Sequence, residues 1–574
     1  MKPKTSYPSS LWLVIAVLCC IINSLSAATY GLFTYTDNGS TITINRYPTT
    51  AVGAVVIPPT IIGKPVTQIA SSAFSSCSGL TSITIPSSVT SIGSSAFSSC
   101  SGLTSITIPS GITSIGDTTF SSCSGLTSVT IPTGVTSIGV NAFASCTALA
   151  SVTIPTSVTS IGSSAFSSCP ALTSVTIPTS VTSIGNTAFF SCKALTSVNI
   201  PSAVTSIGSQ AFTSCSALTA ITVDSTNANY SSSNGLLFNK NQTTLIQCPG
   251  GKTGSLSIPS GVTSIGDYSL QNCTGLTSVT IPTGVTSIGN SAFNSCTSLA
   301  SVPIPNSVTS IGSSAFAGCA SLTSVIIPIN VTSLSSSLFS GCSGLTSVTI
   351  PTGVTSIGSF AFYSCTSLSN VTIPTGATTI GYYAFWTCTS LTSLTIPNSV
   401  TSIDTCAFQN CTKLSSVTLP TGITSIADGT FYSCPLTSIT IPSGVTSIGN
   451  YSFWSCNALT SITIPAGVTS IGNLAFTSCT NLKSVTMPSS VTSIGDNAFQ
   501  YCAALTGITI PVGVTSIGNY TFDSCTGLTS INIPASVTSI GTGGLSGCTV
   551  LTAITVDSAN AYLAVRAGCC STRL

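Results

Sequence analysis

A chain without a single His or Glu has few ways to move a proton, and this one offers only nine Asp and eleven Lys plus Arg in 574 residues. A general acid–base pair would need two of those Asp to meet. Cysteine is the remaining reactive type. Of 26 Cys, twenty fall in one column: Cys77, Cys100, Cys123 and onward in steps of 23 to Cys215, then Cys273 to Cys548, with one step of 22 between Cys434 and Cys456. Nucleophilic catalysis would need a neighbouring base, which the composition withholds. Zinc would need His or close-spaced Cys pairs, and only adjacent Cys occur. Disulfides are the third option, yet parallel side chains in a continuous column are poorly angled for S–S bonds, so the column reads as buried, reduced thiols. Cys248, Cys406, Cys569 and Cys570 stand off the register and are the better disulfide candidates. No catalytic residue, metal site or cofactor is expected, and the chain does not read as an enzyme.

The elements that place this column are copies of one 23-residue phrase, clearest from Leu276 to Ser298 as LTSVTIPTGVTSIGNSAFNSCTS. Val279 and Ile281 alternate with Ser278 and Thr280, the period-2 pattern of a short strand. Pro282, which lacks an N–H, ends it. Ile-Pro-Thr-Gly then reads as a type I turn with the proline second. Val285 and Ile288 point inward, and Gly289 supplies freedom to change direction. The next residue is usually Asn, Asp or Ser, as at Asp117, Asp267, Asn290, Asp428 and Asp496, which suggests the N-cap of a helical turn. Phe293, Cys296 and Leu299 would share one face of it. Each coil thus sends Leu, Val, Ile, Val, Ile, Phe and Cys to a common core.

A fixed period of this kind predicts a repeat solenoid, in which a coil is stable only when stacked on its neighbours. The pattern L-x-x-V-x-I-P-x-x-V-x-x-I-G-x-x-A-F-x-x-C, matched about twenty times, resembles the BspA-like, or Treponema-type, leucine-rich repeat. The resemblance implies a right-handed leucine-rich-repeat coil with a parallel strand row, and a role in adhesion or in binding proteins or glycans at a surface.

In chain order, residues 1–28 read as a signal peptide: Lys2 and Lys4, an apolar run from Leu11 to Ile22, and small residues at Ser26-Ala27-Ala28. No other stretch has transmembrane length, so a secreted or cell-surface location follows. Residues 29–62 lack the period but alternate around Asp37-Asn38-Gly39, a hairpin signal suited to an N-terminal β-hairpin cap. Repeats fill 63–217 and 253–548. Between them, 218–252 is a longer variant in which Leu236–Cys248 reads as a projecting hairpin. Residues 549–574 read as a truncated, irregular end.

With the leader removed, nine Lys plus Arg balance nine Asp, which argues against a nucleic-acid partner. The residue after the core Phe is usually small or polar, yet it is aromatic at Tyr363, Trp386, Tyr432 and Trp454, with Phe360, Tyr382, Tyr383 and Tyr451 nearby. That column reads as an exposed aromatic strip contacting a protein or glycan ligand. Two other readings come from the outward Ser-x-Thr columns, interrupted at Pro303, Ile326 and Asn370: an ice- or surface-binding hydroxyl lattice, or a structural envelope protein whose hydroxyls only solubilise it.

Overall fold

The computed structural model describes residues 28–560. Residues 1–27 of the expected leader, and Cys569 with Cys570, lie outside the described residues. The chain forms two compact units, one reaching Ala217 and including Asp224–Asn229, the other comprising Leu218–Val223 and everything from Tyr230 onward.

Each unit is a parallel β-solenoid. In the second, one coil contributes Gly275–Thr280 to a first strand row and Ser287–Ile288 to a second row. Successive coils pair parallel and in register, Ser287 against Ser310 and Ile288 against Ile311. The first unit repeats this with Ser128, Val129 and Thr130 against Ser151, Val152 and Thr153. In-register pairing sets each residue beside its own copy, so the apolar positions form continuous buried columns. All seven expected core positions of the coil from Leu276 to Cys296 are buried, and Ala292 joins them as an eighth. The Phe rings form a stack in each unit. From Phe74 to Phe212 consecutive centroids are 5.2–5.6 Å apart, and from Phe293 to Phe522 they are 5.0–5.8 Å apart.

Three local expectations are overturned. The bonded turn starts at the proline, because Val285 N–H donates to the Pro282 carbonyl (3.1 Å); the proline is first in the turn, not second. Gly289 does not have positive φ. It is required by close approach: a Cβ there would lie 2.5 Å from the Asp267 backbone nitrogen in the coil before. Three coils carry Ser335, Asp404 or Ala427 at this place.

Finally, no helix occurs among the described residues. The segment from Asn290 to Cys296 is a run of turns with Ser291 and Ser295 at φ 51° and 59°. Such a backbone directs alternate N–H groups along the stack: Ser291, Phe293 and Ser295 donate to Ser313, Ala315 and Ala317 of the next coil, at 2.9, 2.7 and 2.7 Å. Asn294 and Cys296 donate within the coil, to Ser291 and Phe293. A helix would turn all these donors inward and leave the coils unlinked on this side.

The first unit opens with an antiparallel hairpin, Phe33–Asp37 and Ile42–Arg46, whose second strand pairs parallel with Lys64–Ile69 at the head of the second row. Asn38 N–H donates to Thr41 across the turn (2.9 Å), and Lys64 Nζ lies 2.6 Å from Asp37 Oδ2. Tyr47 stacks on Phe74 at 5.3 Å and so heads the Phe column. In the second unit, Leu236–Asn239 and Thr244–Gln247 form an antiparallel hairpin that does not project. Leu236, Leu237, Phe238, Leu245 and Cys248 are all fully buried, because Thr244–Gln247 serves as the first strand of the second row, parallel to Ser264–Ile265.

Candidate functional site

The aromatic column lies on the turn side of the second unit, and the turn backbone fixes where each ring goes. The residue after the core Phe sits between a buried Phe and a Ser or Thr with positive φ, as Trp386 does between Phe385 and Thr387 (φ 57°). Its side chain therefore leaves the core and meets the equivalent side chain one coil away. Tyr363 and Trp386 stack with centroids 4.5 Å apart and planes 8° from parallel. Phe360, Tyr382 and Tyr383 close around them: Phe360 is 5.4 Å from both Tyr382 and Tyr383, and Tyr383 meets Trp386 edge-on at 6.3 Å.

A second cluster holds Tyr432 and Trp454 at 5.2 Å, with Tyr451 stacked on Trp454 at 5.5 Å. The coil of Gln409 separates the two clusters. All five expected binding residues, Tyr363, Tyr383, Trp386, Tyr432 and Trp454, are half-buried, so the strip is less open than expected. The open members are Tyr382 (38% exposed) and Tyr451 (41%), which sequence reasoning placed only nearby. Tyr363 and Trp386 each cover one face of the other, so the pair offers less open ring face than two separate rings would.

Tyr383 has two polar neighbours, the Tyr382 hydroxyl and the Cys406 thiol. The hydrogen bond with Tyr382, then burial, then the bond with Cys406 push its ionisation well above the ordinary phenol range. Cys406 was expected to be a disulfide candidate, but it is a free thiol in this cluster, and Cys248 is likewise free and buried. The clue was available, since Cys406 stands 23 residues after Tyr383. Sequence reasoning also passed over Phe190, a lone aromatic at the equivalent position in the first unit.

The other reactive candidates are structural. All twenty column thiols are free, and through the regular array the Cys Sγ donates to the carbonyl of the core Phe one coil back, as Cys319 does to Phe293 (3.2 Å) and Cys388 to Phe362 (3.2 Å), with Leu270 taking the place of the Phe for Cys296 (3.1 Å). Burial pushes Cys296, Cys342, Cys479 and Cys525 up to about 12. Asp and Asn after the glycine do not cap helices. Their side chains accept the N–H of the same position one coil on: Asn450 to Asp428 (2.7 Å), Asn473 to Asn450 (2.8 Å), Asp496 to Asn473 (2.8 Å), Asn519 to Asp496 (2.7 Å) and Thr542 to Asn519 (2.9 Å). Two Thr columns behave similarly, with Thr127 Oγ1 donating to the Thr104 carbonyl (3.3 Å) and Thr159 Oγ1 to Thr136 (3.2 Å). No group of three or more Cys or Asp able to hold a metal ion occurs among the described residues, and no helix there is long and apolar enough to cross a membrane.

The chain is 33% identical to a leucine-rich cell-surface protein of Faecalibacterium prausnitzii, whose crystal structure aligns over 69% of this chain and 95% of that one with a TM-score of 0.51. A leucine-rich repeat protein of Eubacterium ventriosum is 25% identical over 81% of this chain and 94% of that one, with a TM-score of 0.40. No curated protein matches the chain. The profile of the BspA type leucine rich repeat region matches residues 56–173, 137–250, 250–355, 332–460 and 446–567. With the same phrase, coil length and strand rows throughout, the chain belongs to the BspA-type leucine-rich repeat family.

Proposed function

We propose that this is a secreted or cell-surface binding protein that recognises a protein or glycan partner through an extended solenoid face, with the aromatic clusters as the principal contact. The observation that carries this reading is the gathering of Phe360, Tyr363, Tyr382, Tyr383 and Trp386 on two adjacent coils whose counterparts elsewhere carry mainly small or polar residues. Large aromatics with polar tips supply contact area at low entropic cost and are enriched at binding hot spots. Half-buried rings held by their neighbours are also preorganised, which lowers the ordering cost of association. The leader-like segment and the similarity to a bacterial cell-surface protein support an exported location.

Screening the protein against arrays of glycans and extracellular proteins tests the reading, with the double variant Trp386→Ser, Trp454→Ser as the control. Ligands that bind the parent and are lost by a variant of unchanged melting temperature support it. Full binding by the variant removes the aromatic column from the function. A thermal-hysteresis measurement addresses the hydroxyl-lattice alternative, which Pro303, Ile326 and Asn370 weaken by breaking the outward columns.

A further inference from the structure

The departure from the period at 218–252 is built from pieces found at the two extremes of the described chain. Its first part reads Leu218-Thr-Ala-Ile-Thr-Val-Asp-Ser-Thr-Asn227, and the last described residues read Leu551-Thr-Ala-Ile-Thr-Val-Asp-Ser-Ala-Asn560. The Asn does the same work in both. Asn227 Nδ2 donates to the Pro201 and Val204 carbonyls at 2.7 and 3.0 Å, and Asn560 Nδ2 donates to Pro534 and Val537 at 3.1 and 2.8 Å. Both Asn are fully buried, and each turns its backbone N–H back to the Asp three residues before, at 2.9 and 2.8 Å.

The second part matches the opening of the chain. Ala28–Tyr30, Phe33–Asp37 and Ile42–Arg46 form an antiparallel meander, as do Tyr230–Ser233, Leu236–Asn239 and Thr244–Gln247. The third strand of each then pairs parallel at the head of the second row. Tyr47-Pro48 and Cys248-Pro249 follow, and the first column thiol behind each bonds to both carbonyls: Cys77 Sγ at 3.8 and 3.5 Å, Cys273 Sγ at 3.7 and 3.7 Å. The first-row strands Val52–Val56 and Thr253–Ser257 carry the same irregularity, a register shift just after a glycine of positive φ, Gly53 at 84° and Gly254 at 72°.

We propose that residues 218–259 are a closing motif followed by a second opening cap, so that the array restarts at Tyr230 and the coils from Tyr230 onward hold their fold without support from those before Leu218. In a repeat array stability passes from coil to coil, and caps set where a cooperative block begins and ends.

Hydrogen exchange on the intact chain tests this. Phe120→Ala removes a buried ring stacked between Phe97 and Phe143 at 5.4 and 5.2 Å. Exchange should accelerate about tenfold or more across first-unit coils and change by less than about twofold in coils from Gly275 onward. Phe408→Ala should give the mirror image. Ile138→Val, a milder change to a buried first-unit residue, serves as the second variant should Phe120→Ala unfold the first unit. Comparable acceleration in both units, or loss of the second unit when only the first is altered, overturns the proposal.

Discussion

Raising the pH should unfold this protein abruptly, and the buried thiols set the scale. Cys296, Cys342, Cys479 and Cys525 are held near 12 by burial, whereas an unfolded thiol ionises near 9.0. A folded pKa above the unfolded one gives stability that is complete below pH 9 and is lost as the pH climbs toward 12, because only the unfolded chain gains from ionising. Each such thiol removes on the order of 1 kcal/mol of folding stability at pH 10 and about 3 kcal/mol at pH 11. The four together remove on the order of 4 and 12 kcal/mol, against a typical domain stability of about 5–15 kcal/mol. Further column thiols, such as Cys319 and Cys502, are also raised well above the ordinary thiol range by burial and add to the loss. The assay is circular dichroism under reductant from pH 8 to 11.5, alongside the ultraviolet absorbance of thiolate. Unfolding centred near pH 10, releasing four or more protons per second unit with thiolate appearing at the same point, is the expected result. Thiolate appearing near pH 9 in a chain that stays folded would refute the argument, since the column would then be open to solvent.

Thiol titration at pH 8 should find few reactive groups in the native chain and about twenty more after unfolding without reductant; a count near zero after unfolding means an oxidised column. Trp386→Ser with Trp454→Ser should abolish ligand capture while leaving the melting temperature within about 2 °C, since neither ring belongs to the buried Phe stack. Asn519→Ala removes the acceptor for Thr542 N–H and the donor to Asp496 Oδ2, and should cost about 1 kcal/mol in chemical denaturation; no loss would make that ladder decorative.

Much of this architecture was legible because the period is a property of the chain itself. The Cys and Phe columns, the first strand segment and the inward positions all follow from counting, whereas the second strand, Ser287–Ile288, was read only as an inward-pointing stretch. What escaped the sequence reading lies between coils. Asn290 was read as a helix cap because its type suits one, yet its side chain accepts from Ser313, 23 residues on. Gly289 was assigned a conformational role when the constraint is a neighbour's backbone at 2.5 Å. Cys gained a reason beyond apolar size only when its thiol was found on a carbonyl 26 residues back. At the aromatic strip the members were readable but their half-burial was not, since it comes with contacts between coils such as the 4.5 Å stack of Tyr363 on Trp386.

The ladders also bear on how such a gene can change. The bonds that join one coil to the next, such as Thr286 N–H to Thr263 and Phe293 N–H to Ala315, recur at the same positions, so each coil offers its neighbour much the same donors and acceptors. Unequal recombination that adds or removes 69 base pairs would therefore insert or delete a ready-made partner, leaving the flanking coils with bonds of the same kind. Even an imperfect event has been absorbed: past the 22-residue spacing, Ser425 still pairs with Ser447 and Thr437 N–H still reaches Ser415 at 3.0 Å. Array length is thus free to change without loss of the fold, and with it the number of coils that separate the two aromatic clusters.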